Sequence, residues 1–460
     1  MTSLPLSLVG DALEVPCLDG VDRPYLSLDS AASTASLPTV ADRVVDFLPW
    51  YSSVHRGAGY KSQMATAAYE EARAAALRFA GRTDTDDVAI IVRNTTEAIN
   101  HLAYRLRLTA VDVIVTTVTE HHANLLPWAR TGASRRFVEC GAAGTFTARE
   151  VEAALDGGPR PSLLAITGAT NVTGWLPPID EIIAAAHARD VPVLVDAAQL
   201  AAHRPMPAAA DFIAWSGHKM YAPFGAGVLI GPRSAFTEGD PFLAGGGAVD
   251  LVDLDEVVWT DPPEREEAGS PNVIGAVALG AAIGELERIG WDAIIAHEDE
   301  VATRLRHGLA GIDGVRLLGP PLEVPTLAVA AFEVGDIPHA LVAARLSAEF
   351  GIGVRHGCFC AHPYLIRLLD LPQDLIARYR DDVLAGDRRN IPGAVRASAG
   401  LSVTPAEIDR FVDAVAVIAH GGPPPVEYRQ DQATGDFWPE GEAAPWSSGD
   451  RSLGAPCSRG

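Results

Sequence analysis

The chain has thirty-six basic residues, and only two of them, Lys61 and Lys219, are lysines. Chemistry that needs an amine nucleophile therefore has two candidates. Lys219 stands in SGHKMYAPFGAGVLIG, between apolar runs and away from charged helical positions. Burial disfavours an ammonium ion, so a lysine placed there becomes a nucleophilic amine suited to Schiff-base formation. The glycines around it allow a ligand to approach the backbone. Asp196 ends the apolar run VPVLVDAA, and a carboxylate leaving a buried strand needs a partner. A pyridinium nitrogen meets that need, and the electron-sink chemistry of pyridoxal 5'-phosphate depends on such an acid. Thr95 and Thr96 open a helix after a strand, where free N–H groups and the helix dipole hold phosphate. Strand-ending aspartates and helix-capping threonines are each common. In this order, with the lysine, they point to one cofactor.

The cysteines divide differently. Cys17, Cys140, Cys358, Cys360 and Cys457 form an odd set without CxxC spacing, which supports neither a disulfide framework nor a four-thiolate zinc site. Cys17 and Cys457 lie near the termini, and Cys140 follows the strand-like RRFVE run. Only Cys358 and Cys360, in Gly357-Cys358-Phe359-Cys360-Ala361, stand among arginine, histidine and glycine. Neutral-pH reactivity of a thiol requires such a basic setting; a buried structural cysteine is the plainer alternative.

These residues must be positioned by regular elements. From about residue 62 to 231, helical stretches such as AAYEEARAAALRFAG and IDEIIAAAHARD alternate with short apolar runs at 88–92, 113–118, 162–168, 191–198, 211–217 and 226–231. That alternation predicts a largely parallel sheet covered on both faces. Thr95-Thr96-Glu97, Glu120-His121-His122, Asn171, Asp196, Gln199 and Ser216-Gly217-His218-Lys219 all follow the C-terminal ends of the runs. Ligands bind at that edge of an open α/β sheet. The expected organisation is a large domain over 22–283, a smaller one from 1–21 plus 284–420, and an extended or disordered tail over 421–460, whose Phe437, Trp438 and Trp446 are able to pack onto the body.

Composition bounds the partners. Hydrophobic residues make up 48% and charged residues 21% of 460 residues, so the chain can bury a large core without disulfide or metal staples. A net charge of −23 repels phosphate backbones and anionic membranes. No apolar run is long enough to span a bilayer, and the N-terminus lacks a basic stretch followed by an apolar one. The expectation is a cytoplasmic protein that binds neither nucleic acid nor membrane.

The motifs VHRG (54–57), NTTEAIN (94–100), EHHANLLPW (120–128), TNVTGWLPPI (170–179), VDAAQ (195–199), SGHKMYAPFGAG (216–227), EAGSPN (267–272) and the 355–361 segment resemble, in order, those of the class V aminotransferase family. Within it the chain is most similar to the group II cysteine desulfurase and selenocysteine lyase branch. The resemblance implies an α/β fold-type-I architecture: a large, mostly parallel-sheet domain with a smaller α+β C-terminal one. It implies pyridoxal 5'-phosphate as cofactor, with Lys219 as the Schiff-base lysine and Asp196 the pyridinium partner. His121 would stack on the ring and Gln199 would bond its phenolate oxygen. Thr96, Ser216 and His218 would hold the phosphate, with Thr95 close by and Asn171 near the ring. Ser270 would reach the phosphate of a neighbouring subunit, which implies a homodimer. Arg396 would bind the substrate carboxylate, and His55 and Arg355 would line the substrate pocket. Cys360 falls at the catalytic thiol, which would take sulfur from L-cysteine as a persulfide, release alanine, and pass the sulfur to an acceptor protein.

The chain also departs from that branch. Cys358-Phe359 replaces the His pair that usually precedes the thiol, and the residues between Cys360 and Arg396 include an insertion over 361–395 rich in Asp and Arg. Transamination, epimerisation or β-elimination on another amino acid, by the same cofactor, is the alternative reading. A non-catalytic binding role is the third, disfavoured by the intact Lys219, Asp196, His121 and Arg396 set. No metal is expected, since His121-His122 and the Cys358/Cys360 pair lack zinc spacing.

Overall fold

The computed structural model describes residues 4–83 and 86–441. Its centre is a seven-stranded sheet in the order Asp87–Val92, Gly227–Pro232, Phe212–Ser216, Val193–Asp196, Leu163–Thr167, Val113–Thr117, Ser134–Val138. Gly227–Pro232 runs antiparallel to both neighbours, and the other pairings are parallel. The five strands Val113–Thr117, Leu163–Thr167, Val193–Asp196, Phe212–Ser216 and Asp87–Val92 are buried almost throughout, which is why they read as continuous apolar runs and not as alternating ones. The expected α/β fold with a large, mostly parallel sheet is therefore what the chain adopts.

Helices cover both faces. On one side, Tyr60–Phe79 and Val273–Ile289 pack closely and contribute Ala72, Ala76, Ala276 and Leu279 to the main core. Gly280 lies over Ala72, where a Cβ would come within 3.3 Å of its Cα, so small residues set the helix spacing. The boundary drawn at residue 283 falls inside Val273–Ile289, a single helix committed to the main core. On the other side, Thr95–Arg105 packs Ile99 and Leu102 against Trp128 and Phe236.

A second layer holds an antiparallel four-stranded sheet, Val315–Leu318, Val329–Val334, Ala394–Ser398 and Arg355–Gly357 in that order. Helices Trp291–Ala310, His339–Phe350 and Pro405–Ala419 cover it around Phe332 and Phe411. Leu26 and Leu28 join this core, because Leu26–Ser27 pairs with Ile352–Gly353. The 361–395 insertion contains helices His362–Leu368 and Gln373–Leu384. The first is anchored by buried Tyr364, whose hydroxyl donates to Gly144 O at 2.8 Å; the second buries none of its residues fully. Within the expected tail, Tyr428–Gln430 and Phe437–Pro439 form a hairpin. Its Tyr428 hydroxyl meets Glu349 at 3.1 Å and its Asp436 meets His356 at 3.2 Å. Trp446, Cys457 and the rest of 442–460 lie outside the described residues. No described helix is long and apolar enough to cross a membrane.

Candidate active site

The C-terminal ends of Leu163–Thr167, Val193–Asp196 and Phe212–Ser216 open into one cavity of about 220 Å³. Thr167, Asp196 and Ser216, the last residue of each strand, all line it. At one end, Asn94 caps helix Thr95–Arg105 by accepting from Glu97 N–H at 3.0 Å. The Thr95 N–H donates to Ser216 Oγ at 2.8 Å, and the two hydroxyls lie 2.7 Å apart. This close junction needs Gly227, where a Cβ would fall 2.7 Å from Asn94 Cα. Thr96 and His218 complete that wall, and burial lowers the His218 pKa, so the wall offers neutral donors around a helix N-terminus.

The middle of the cavity holds a buried acid and an amine. Asp196 is 3% exposed and accepts from Ala198 N–H at 2.9 Å; burial raises its pKa, with the backbone bond and Lys219 opposing. Lys219 ends a short 3-10 turn, Gly217–Lys219, that follows the strand. Burial lowers its pKa to about 8, against the attraction of Asp196. His121 is held neutral, its pKa lowered to about 3 by burial first and by Lys219 next. Its Nδ1 accepts from Ala123 N–H at 3.0 Å, which puts the ring proton on Nε2. Gln199 donates to Ala31 O at 2.7 Å.

The far end carries cations and a thiol. Arg396 is 2% exposed. It donates from Nη1 to Asn171 O at 3.0 Å and from Nη2 to Asp29 at 2.9 Å, and lies 5.0 Å above the Phe359 ring. Cys360 is exposed and lines the same cavity as Lys219. Phe359 and Cys360 both have left-handed φ, 54° and 53°, a conformation that costs non-glycine residues roughly 1–2 kcal/mol each. Three contacts hold the corner: Asn171 Nδ2 donates to Phe359 O at 2.7 Å, His122 N–H to Cys360 O at 2.8 Å, and Arg396 covers the ring.

Thus Thr95, Thr96, His121, Asn171, Asp196, Gln199, Ser216, His218, Lys219, Arg355, Cys360 and Arg396 are brought together. His55 and Ser270 are not; they line a separate, larger cavity with Glu70, Glu264 and Glu267. There His55 pairs with Glu70 at 2.8 Å, which raises its pKa.

Sequence reasoning missed Asp29, Phe359 and the role of Glu120. Glu120 is fully buried beneath the His121 loop and accepts from Thr117 Oγ1 at 2.8 Å, Thr167 N–H at 3.0 Å and Asn124 Nδ2 at 2.7 Å. Its place inside EHHAN was the available signal. Burial raises the Glu120 pKa to about 8, so glutamine would mimic its protonated form, whereas Glu120→Ala would leave those donors without an acceptor. We expect a loss of about 2 kcal/mol, read as a lower denaturant midpoint with an unchanged slope; an unaltered midpoint would refute this role.

Comparison with known proteins gives the family. Residues 26–411 match the aminotransferase class-V family. A cysteine desulfurase of Dickeya dadantii is 37% identical over 402 residues, covering 85% of this chain and 91% of that protein. Probable cysteine desulfurase 1 of Mycobacterium leprae is 36% identical over 411 residues, 87% of this chain, and the chain spans 63% of that relative's length. The apo structure of a cysteine desulfurase from Thermococcus onnurineus superposes with a TM-score of 0.76 at 32% identity, covering 86% of this chain and 95% of that one. The chain belongs to the aminotransferase class-V family.

Proposed function

We propose that the protein is a pyridoxal phosphate-dependent cysteine desulfurase that converts L-cysteine to L-alanine and takes the sulfur on Cys360. The observation that carries this reading is one cavity shared by Lys219, Asp196, Arg396 and Cys360.

The residues fit the cofactor. Asp196 is a buried carboxylate whose recorded hydrogen bond comes from a backbone amide and not from a cation. Asn171 Oδ1 and Arg396 Nε are buried without a partner, as a wall built to meet a polar ligand would leave them. Thr95, Thr96, Ser216 and His218 would hold the phosphate, Asp196 the pyridinium nitrogen, and Gln199 and Asn171 the ring substituents, with His121 against the ring face. When bound, pyridoxal phosphate supplies an electron sink for the carbon that bears the substrate amine.

The chain's own residues do the rest. Arg396 and Arg355 draw in the substrate carboxylate. Lys219, with a pKa near 8, can give up and take back a proton at Cα near neutral pH. Neutral His121 adds no charge beside the amine. Cys360 presents its thiol at the cavity and forms the new S–S bond as the substrate C–S bond breaks. Ser270, which faces a different cavity, fits a contact to the phosphate of a neighbouring subunit in a homodimer, and His55 shares that cavity instead of lining the substrate pocket of its own chain. Free Cys17, Cys140, Cys358 and Cys360 suit a cytoplasmic setting, and the exposed Cys360 suits delivery to a sulfur-acceptor protein.

The direct test is product analysis on purified holoenzyme with L-cysteine. Equal amounts of alanine and sulfane sulfur are expected; pyruvate with ammonia, or a keto acid, would replace this reading with elimination or transamination. A second expectation concerns cofactor loading. Below its pKa Lys219 is an ammonium and cannot attack a carbonyl, so covalent loading of apoprotein should quicken roughly tenfold per pH unit up to about 8 and then level. Rates measured from pH 6 to 10 check this; a rate that keeps climbing past pH 9 would refute the depressed amine.

A further inference from the structure

Helix His362–Leu368 begins two residues after Cys360. Just before it, Ala361 N–H donates to Cys358 O at 2.9 Å and closes a turn whose two central residues, Phe359 and Cys360, are both left-handed. Glycine and asparagine favour such a turn; other residues stay in it only where their surroundings hold them. His122 meets this turn on both sides of Ala361. Its backbone N–H donates to Cys360 O at 2.8 Å. Its Nε2 lies 3.3 Å from His362 N and 3.2 Å from His362 Nδ1, and the two rings are parallel to within 3°, with centroids 5.1 Å apart.

A backbone N–H can only donate, so His122 Nε2 is the acceptor and carries no proton. Both tautomers follow: the His122 proton is on Nδ1, and His362 donates from its own Nδ1. Burial lowers the pKa of both rings, and at His122 the neighbouring His362 adds to it. The adjacent histidines thus divide the work. His121 lines the cavity, and its Nδ1 is taken by Ala123 N–H. His122 is not among the residues lining the cavity, so any effect of its ring on the reaction passes through the turn that carries the thiol.

We propose that the His122 ring is a positioning residue for sulfur transfer: by accepting from His362 while its own amide holds Cys360 O, it keeps the Cys360 thiol at the cavity. The proposal rests on the reading of Cys360 as the residue that takes the sulfur.

The test compares wild-type, His122→Gln, His122→Ala and His362→Ala holoenzymes. Glutamine carries a carbonyl oxygen that can accept where Nε2 does; alanine carries no acceptor. In His122→Ala, persulfide formation from L-cysteine should slow about tenfold, as small misplacements of a reacting group do. KM should hold, because Arg396 is untouched. Hydrogen exchange over Gly357 to Leu365 should quicken about fivefold, the usual worth of one lost hydrogen bond. His122→Gln should restore both values. His362→Ala removes one of the two donors and should shift both values the same way by a smaller factor, which keeps the test decisive if His122→Ala does not fold. Sulfur transfer at the wild-type rate in either alanine variant overturns the proposal, whatever the exchange shows. So does an equal loss in His122→Gln and His122→Ala. The two possible failures are distinct: wild type that forms no persulfide sinks the desulfurase reading and this proposal with it, whereas normal wild-type persulfide with unaffected variants sinks the proposal alone.

Discussion

Lys219→Ala should abolish covalent attachment of the cofactor and reduce turnover of L-cysteine by at least 10²–10⁴-fold, the usual worth of a positioned proton-transfer group. Lys219 has no understudy. Lys61, the other lysine, is exposed on helix Tyr60–Phe79 and does not line the cavity. Borohydride reduction followed by peptide mass spectrometry should find the phosphopyridoxyl mass on Lys219 in wild type and nowhere in the variant. Non-covalent cofactor binding should survive, weakened, because the phosphate wall of Thr95, Thr96, Ser216 and His218 is independent of the amine. An adduct that persists on Lys61, or turnover within tenfold of wild type, would be incompatible with the assignment.

Much of this site was legible in the sequence because a doubly covered parallel sheet leaves a plain trace. Each strand is an apolar run, and the first polar residue after it stands at the ligand edge. Asp196 after VPVLV and Ser216 to Lys219 after FIAW follow that rule, and so does Thr95 after VAIIV and its Arg-Asn turn. Asp29 does not. Its partner Arg396 is 367 residues away, and the two meet only because the N-terminal segment crosses to the smaller sheet. The left-handed Phe359-Cys360 corner was hidden for another reason. Left-handed backbone is usually announced by glycine, and here Asn171, His122 and Arg396 enforce it on a bulky residue. The hairpin Tyr428–Gln430 with Phe437–Pro439 escaped because three-residue strands are too short to show alternation. The insertion helix Gln373–Leu384 only half-buries Leu375, Ile376, Tyr379 and Val383, a short stripe obscured by the surrounding Asp and Arg residues.

Cys360→Ala should end desulfuration while leaving the cofactor in place. The two cysteines of the 358–360 segment are separated by environment, not by sequence. Cys360 is exposed at the cavity, whereas Cys358 packs against the apolar cluster of Phe359, Tyr364, Leu365 and Leu368. A thiol that must attack sulfur needs access, so Cys360 is the residue positioned to take it. Alanine formation should fall on the order of 10³-fold, about 4 kcal/mol of barrier, and the visible absorbance of the bound cofactor should remain. In wild type treated with L-cysteine, mass spectrometry should find the added sulfur on the Cys360 peptide. Cys358→Ala should keep most of the activity, because its side chain fills apolar space and its loss costs packing more than chemistry. Substantial persulfide on Cys358, or retained turnover in Cys360→Ala, would move the nucleophile by two residues. The left-handed corner gives a further check. If Asn171, His122 and Arg396 place the thiol, Asn171→Ala should slow sulfur transfer more than it weakens substrate binding, because it frees Phe359 O while Arg396 keeps its ion pair with Asp29.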